Sequence, residues 1–215
     1  MDPSNPVVKL CSQGMQAEAE GREAEARALF EEAWATAGDD YEACVAAHYL
    51  ARHQPTPERT LRWNRECLRR ADRVGDDRVK GFYASLHLNM ARTHDDLGDA
   101  EAAREHFGLA AAHLDELPQG QYADWTRGAV AAGLRATGAL APRAAEPFLT
   151  ELFDAFCARG DLMALGLVLP PYLGDLGTEE DRVRLLTALH MVHAARRLPD
   201  AEQAVLGRAI GACAA

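Results

Sequence analysis

Lysine is nearly missing from this chain. Lys9 and Lys80 are the only two among 23 basic residues, which face 33 acidic ones for a formal net charge of −10. A phosphate backbone or an anionic bilayer would meet net repulsion, so neither nucleic acid nor membrane is expected as a partner. Paired cysteines are missing too. Cys11, Cys44, Cys67, Cys157 and Cys213 are odd in number and show no Cys-x-x-Cys spacing. They read as small buried fillers in a reducing compartment rather than as a disulfide framework. Residues 1–10 have no basic segment running into an apolar one, as a secretory leader would. The most apolar stretch, 162–173, is interrupted by Pro170 and Pro171 and falls short of a bilayer's width. The expected location is cytoplasmic.

Motifs that carry chemistry are equally scarce. The sequence has no phosphate-binding glycine loop ending in Lys-Ser/Thr, no Gly-x-Ser-x-Gly elbow and no His-Glu-x-x-His. No strand-like alternation stands out, so nothing predicts a strand–glycine-loop–helix unit to hold a nucleotide cofactor. His190 and His193 are three apart and would share a helix face, but no further metal ligand sits nearby in sequence. His94 followed by Asp95 and Asp96 would orient a general base, yet no nucleophile accompanies them. No catalytic residue, cofactor or metal is therefore assigned, and the chain is read as non-enzymatic.

What the chain does have is a repeat. Gly21, Ala26, Phe30 and Ala33 recur as Gly98, Ala103, Phe107 and Ala110, every one 77 residues on. Such a period is two units of 38 or 39, and traces of the middle one are present. Gly38-Asp39-Asp40 returns as Gly75-Asp76-Asp77, and Leu50-Ala51-Arg52 returns as Met90-Ala91-Arg92. The spacing is that of helix pairs: glycine where one helix stops, a small residue where two helices approach, and a Phe–Ala stripe for the next unit to cover. Helices are predicted over 6–20, 22–37, 41–53, 57–73, 78–97, 99–115, 122–137, 144–159, 161–174, 178–197 and 200–213. The fold class is all-α.

These residues make the chain similar to the tetratricopeptide repeat (TPR) family, in the long form of some bacterial repeats, since the spacing exceeds the usual ~34 residues. The resemblance covers residues 7–114 and is weakest in the middle unit, where Pro55, Thr56 and Pro57 replace the turn glycine. It implies an α-solenoid of three helix–turn–helix units over residues 1–120, followed over 121–215 by diverged helical repeats or a C-terminal capping bundle.

The family commonly binds ligands on the first helix of each pair, at the concave face. Carried over, this points to His48, Tyr49 and Arg52 in the second unit and Ser85, Asn89, Arg92, Asp95 and Asp96 in the third. Arg52 and Arg92 are equivalent, as are Tyr49 and Asn89, and arginine forks grip carboxylates bidentately. The implied function is a non-catalytic scaffold or regulator that takes a protein or peptide partner, by an acidic or C-terminal segment. The alternative is a small-molecule sensor or enzyme whose C-terminal helices close a pocket around His48, His87, His94 and Asp95. Homodimerisation through an uncapped last helix is a third possibility. Two further features stand apart. Trp34, Trp63 and Trp125 are expected to fill gaps between helices. The helix over 59–73 carries Arg59, Arg62, Arg65, Arg69, Arg70 and Arg73, the one local basic patch, read as a solvated face or a dock for an acidic partner.

Overall fold

The computed structural model describes residues 4–214, and among these the chain is all-helical, with eleven α-helices, a short 3-10 turn and no strand. The helices are α1 (Pro6–Ala19), α2 (Glu23–Thr36), α3 (Asp40–Arg52), α4 (Pro57–Val74), α5 (Asp77–Asp96), α6 (Ala100–Ala112), α7 (Gln121–Ala136), α8 (Glu146–Arg159), α9 (Leu162–Leu173), α10 (Glu179–Ala195) and α11 (Asp200–Ala214). None is long and apolar enough to cross a membrane. The chain divides into two compact units, one ending at Pro118 and the other beginning at Gln119.

Local chemistry sets the helix starts. The side chains of Asn5, Asp39, Thr56, Asp76, Asp99, Asp161 and Thr178 each accept a hydrogen bond from a backbone N–H in the first turn of the following helix. Each such cap satisfies donors that the helix itself leaves open and contributes about 1 kcal/mol. In α4, Pro57 adds a preset φ at the first helical position, where no N–H is needed.

In the first unit, α1 packs on α2, α3 on α4 and α5 on α6, and each pair packs on the next. The repeated residues lie where helices meet. Ala26, Ala33, Ala103 and Ala110 are fully buried, as is Phe30, and Phe107 is nearly so. The turns recur atom for atom. Gly21 and Gly98 both have φ of +75°. The N–H of Arg22 donates to Ala17 O at 2.8 Å, and that of Asp99 to His94 O at 2.9 Å. A side chain at either glycine would sit in a conformation that L-residues avoid.

The second unit is organised differently. Helices α8, α9, α10 and α11 pack in a closed ring, with α11 returning to α8, and α7 lies against α9. Leu149, Leu152, Phe156, Leu185, Leu189 and Leu206 fill the ring with a single core. The loop before α10 is pinned by charge. Asp181, 3% exposed, accepts hydrogen bonds from Arg127 Nη2 at 2.6 Å, the Leu176 N–H at 3.0 Å and the Thr178 hydroxyl at 2.8 Å. Arg143 reaches Asp175 at 2.6 Å and the Tyr172 carbonyl at 2.6 Å.

Two expectations about fillers need correction. Cys11, Cys44 and Cys67 are buried, but Cys157 is exposed on α8, and Cys213 is half-buried at the edge of the second unit's core, against which it packs. Trp34 and Trp63 do fill a gap between helices, meeting edge to face at 4.9 Å. Trp125 does not: it lies 55% exposed on α7, its ring 6.3 Å from that of Tyr122.

Candidate functional site

The first-helix residues singled out above are spread along α3 and α5 rather than gathered into one pocket. Tyr49 stacks on Phe30 with ring centroids 5.2 Å apart, and the Arg52 guanidinium covers Tyr49 at 5.0 Å. Arg52 is already paired, its Nη2 donating to Glu18 Oε2 of α1 at 2.6 Å. His48 is held edge-on between Tyr49 and Phe82. Burial, helped by the nearby Arg52, pushes its pKa down to about 4, so its ring is neutral at neutral pH. Ser85 is buried and donates to the Phe82 carbonyl, and Asn89 is half-buried. Arg92, Asp95 and Asp96 are exposed. Asp96 lines a small recess of 190 Å³ with Thr93, Thr60 and the 54–57 loop.

A larger cavity lies on the second helices. Between α2 and α4, Trp34, Trp63, Arg59, Arg62, Glu66 and Gln54 enclose a cleft of 550 Å³. The spacing explains the lining: residues 59, 62, 63 and 66 follow the i, i+3, i+4, i+7 rhythm of one helix face. Pro55 and Thr56 end α3 and start α4, which leaves Gln54 at the mouth, its Nε2 donating to the Leu50 carbonyl at 2.8 Å. The indole pair forms an apolar wall, and Arg70 rests over Trp34 at 5.5 Å.

The charges at this cleft are unevenly matched. Glu66 is taken by Arg69 and Arg70, and Asp40 by Arg70 and Arg73. The two arginine contacts outweigh partial burial and hold the Glu66 carboxyl below the usual range, so it is ionised and neutralised. Arg59 and Arg62 are exposed, and neither guanidinium has a hydrogen-bond or ion-pair partner among the described residues. Among the described residues most arginines pair with a carboxylate, whereas Arg59 and Arg62, like Arg65, Arg196, Arg197 and Arg208, show no such ion pair.

The metal reading of His190 and His193 gains no partners. His190 is exposed, the backbone carbonyl of His193 accepts from Gln203, and among the described residues no group of three or more His, Cys, Asp or Glu is placed to hold a metal ion. Sequence reasoning located the arginine-rich helix and both tryptophans but not their union. Trp34 and Trp63 are 29 residues apart in sequence, and only the tertiary fold brings their rings together. No protein-family model matches the sequence, and no curated protein matches it.

Proposed function

We propose that this protein is a non-catalytic binding module built of TPR-like helix pairs, and that it takes an acidic peptide segment of a protein partner in the Trp34–Trp63 cleft. The observation that carries this reading is the pair Arg59 and Arg62, without a carboxylate of their own, on the rim of an aromatic-lined cavity. Tryptophan and arginine are the side chains that most often dominate protein interfaces. An indole wall gives apolar area at little entropic cost, and a guanidinium gives a bidentate grip on a carboxylate. The net charge of −10 over the whole chain disfavours extended phosphate-rich or membrane partners, whereas the arginine-rich α4 offers a local positive rim to a short acidic segment. The cleft replaces Arg52 and its neighbours as the proposed ligand site, since Arg52 already has Glu18 and Tyr49. An adaptor or regulator role in the cytoplasm is the matching biological reading.

The test uses fluorescein-labelled peptides in which Asp and Glu flank a Phe or Leu, with Gln and Asn versions as controls. Anisotropy should rise with the acidic peptides and indole fluorescence should change, and the neutral versions should bind at least tenfold more weakly. Arg59→Glu combined with Arg62→Glu should abolish binding while helical circular dichroism is kept. Equal affinity for acidic and neutral peptides, or binding that survives the charge reversal, would sink the proposal.

A further inference from the structure

Four histidines that play no part in the cleft form a single row along the α5–α6 interface. His87 and His94 lie seven apart on α5, and His106 of α6 lies seven before His113, the residue that caps the C-terminus of α6. Because the two helices run antiparallel, the pairs interleave in the order His113, His87, His106, His94. Successive ring centroids are 5.9, 5.2 and 5.4 Å apart, and successive planes differ by 15°, 24° and 19°. Each end of the row meets a carboxylate: Glu116 Oε2 lies 3.1 Å from His113 Nδ1, and Asp99 Oδ2 lies 3.3 Å from His94 Nδ1.

The centre of the row is the informative part. His87 Nδ1 and His106 Nδ1 are 3.0 Å apart. The 5.2 Å between the ring centres exceeds that distance by about two ring radii, so both nitrogens lie on the line joining the centres. The rings therefore meet head-on, one Nδ1 donating its proton and the other accepting it. A neutral pair satisfies this contact. A singly protonated pair also satisfies it, because the extra proton can sit on an outer Nε2. A doubly protonated pair cannot: both inner nitrogens would carry N–H groups aimed at each other, with two positive charges beside a buried His87.

The surrounding charges do not rescue that state. From α4, Asp72 favours a charged His87 while Arg65 opposes a charged His106. On α6, Glu105 favours a charged His106, and the neighbouring His94 and His113 each act against the ring beside them. Tyr83 of α5 stacks on His113 at 5.0 Å and stays neutral, because burial and its hydrogen bond to Asp72 push its pKa up to about 12. For both central rings burial is the largest influence, and it favours the neutral form.

We propose that the His87–His106 pair is an acid-sensitive latch between α5 and α6, which admits one proton and releases α6 on the second. The latch is independent of the peptide cleft and would stand if that reading failed. Hydrogen-exchange mass spectrometry at pH 7.0 and pH 4.5, corrected for intrinsic rates, tests it in the full chain. Residues 100–112 should lose at least tenfold more protection at the lower pH than α1 and α2 do. His106→Gln should remove that difference, because a carboxamide can offer His87 a donor or an acceptor as its protonation requires. Should that variant fold poorly, imidazole carbon–proton shifts of the wild-type protein give a second measurement. The two central rings should titrate in separate steps, both below ordinary histidine. Undiminished protection of 100–112 at pH 4.5, release in His106→Gln equal to wild type, or both rings titrating together at the ordinary value would each overturn the proposal.

Discussion

Gly14 of α1 lies directly beneath the ring of Phe30 in α2: a Cβ on Gly14 would stand 2.3 Å from Phe30 Cε1. Phe30 is fully buried and stacked on Tyr49, so its ring has nowhere to retreat. Gly14→Ala is expected to destabilise the first unit by about 1–3 kcal/mol through overpacking, despite the better helix propensity of alanine. Urea unfolding followed by indole fluorescence would measure it. An unchanged midpoint would mean that the α1–α2 contact is looser than described.

Asn64 predicts a change in the opposite direction. It lies 38 residues after Ala26 and 39 before Ala103, in the middle unit's copy of the small-residue position. It is 0% exposed, and neither its Oδ1 nor its Nδ2 has a hydrogen-bond partner among the described residues. An unsatisfied buried amide costs about 1–3 kcal/mol. Asn64→Ala adopts the solution used in the other two units and should raise stability by roughly 1 kcal/mol, with the small void left behind offsetting part of the gain. A lower melting temperature in calorimetry would contradict this.

In the second unit, Asp181 should matter more than its partner. Asp181→Ala removes the acceptor of the Leu176 N–H, the Thr178 hydroxyl and Arg127 Nη2 together, leaving Arg127 only its Nε bond to the Gly174 carbonyl, and a loss of roughly 3 kcal/mol is expected. Arg127→Met leaves the carboxylate two of its three donors, so the loss should be smaller. Denaturant titrations of the two variants would rank them, and an equal or reversed order would refute the assignment.

Acid should reach the two units at different pH. Burial, reinforced by the neighbouring His106 and His113, lowers the His87 pKa to about 4, and burial lowers His48 likewise, whereas an unfolded histidine titrates near 6.5. The unfolded first unit therefore binds more protons in that interval, and its stability should fall as pH drops from about 6.5 to about 4. In the second unit, burial of Asp181 raises its pKa, but the Thr178, Leu176 and Arg127 contacts outweigh it and hold the carboxyl below its ordinary value. That contribution persists above the ordinary aspartate range, near 3.9, and fades only as pH falls below it. Trp34 and Trp63 report on the first unit and Trp125 on the second, so single-tryptophan variants should show the first unit weakening at higher pH. Coincident acid transitions would contradict the scheme.

Arg52→Ala separates the two faces of the first unit. If acidic peptides bind in the cleft, their affinity should change less than twofold. Stability should drop by under about 1 kcal/mol, because the lost Glu18 contact is a half-exposed ion pair. A tenfold loss of affinity would move the ligand site to the α1–α3 face.

By itself, the sequence determined the helices and the repeated turns, because those are local. The caps, the glycines at 21 and 98, and the Ala–Phe–Ala stripes act within a few residues of their own position. Helix ends read from them fall within one to three residues of those observed. Tertiary structure decided everything that depends on which helix lies beside which. It closed α8–α11 into a ring, where periodicity gave four amphipathic segments with no pairing order. It joined Trp34 to Trp63, spent Arg52 on Glu18, and left Arg59 and Arg62 without a carboxylate. It also turned two pairs of histidines, each seven apart, into one row. That spacing was visible in the chain, but antiparallel packing supplies the interleaving, and no residue's own neighbours in sequence encode it.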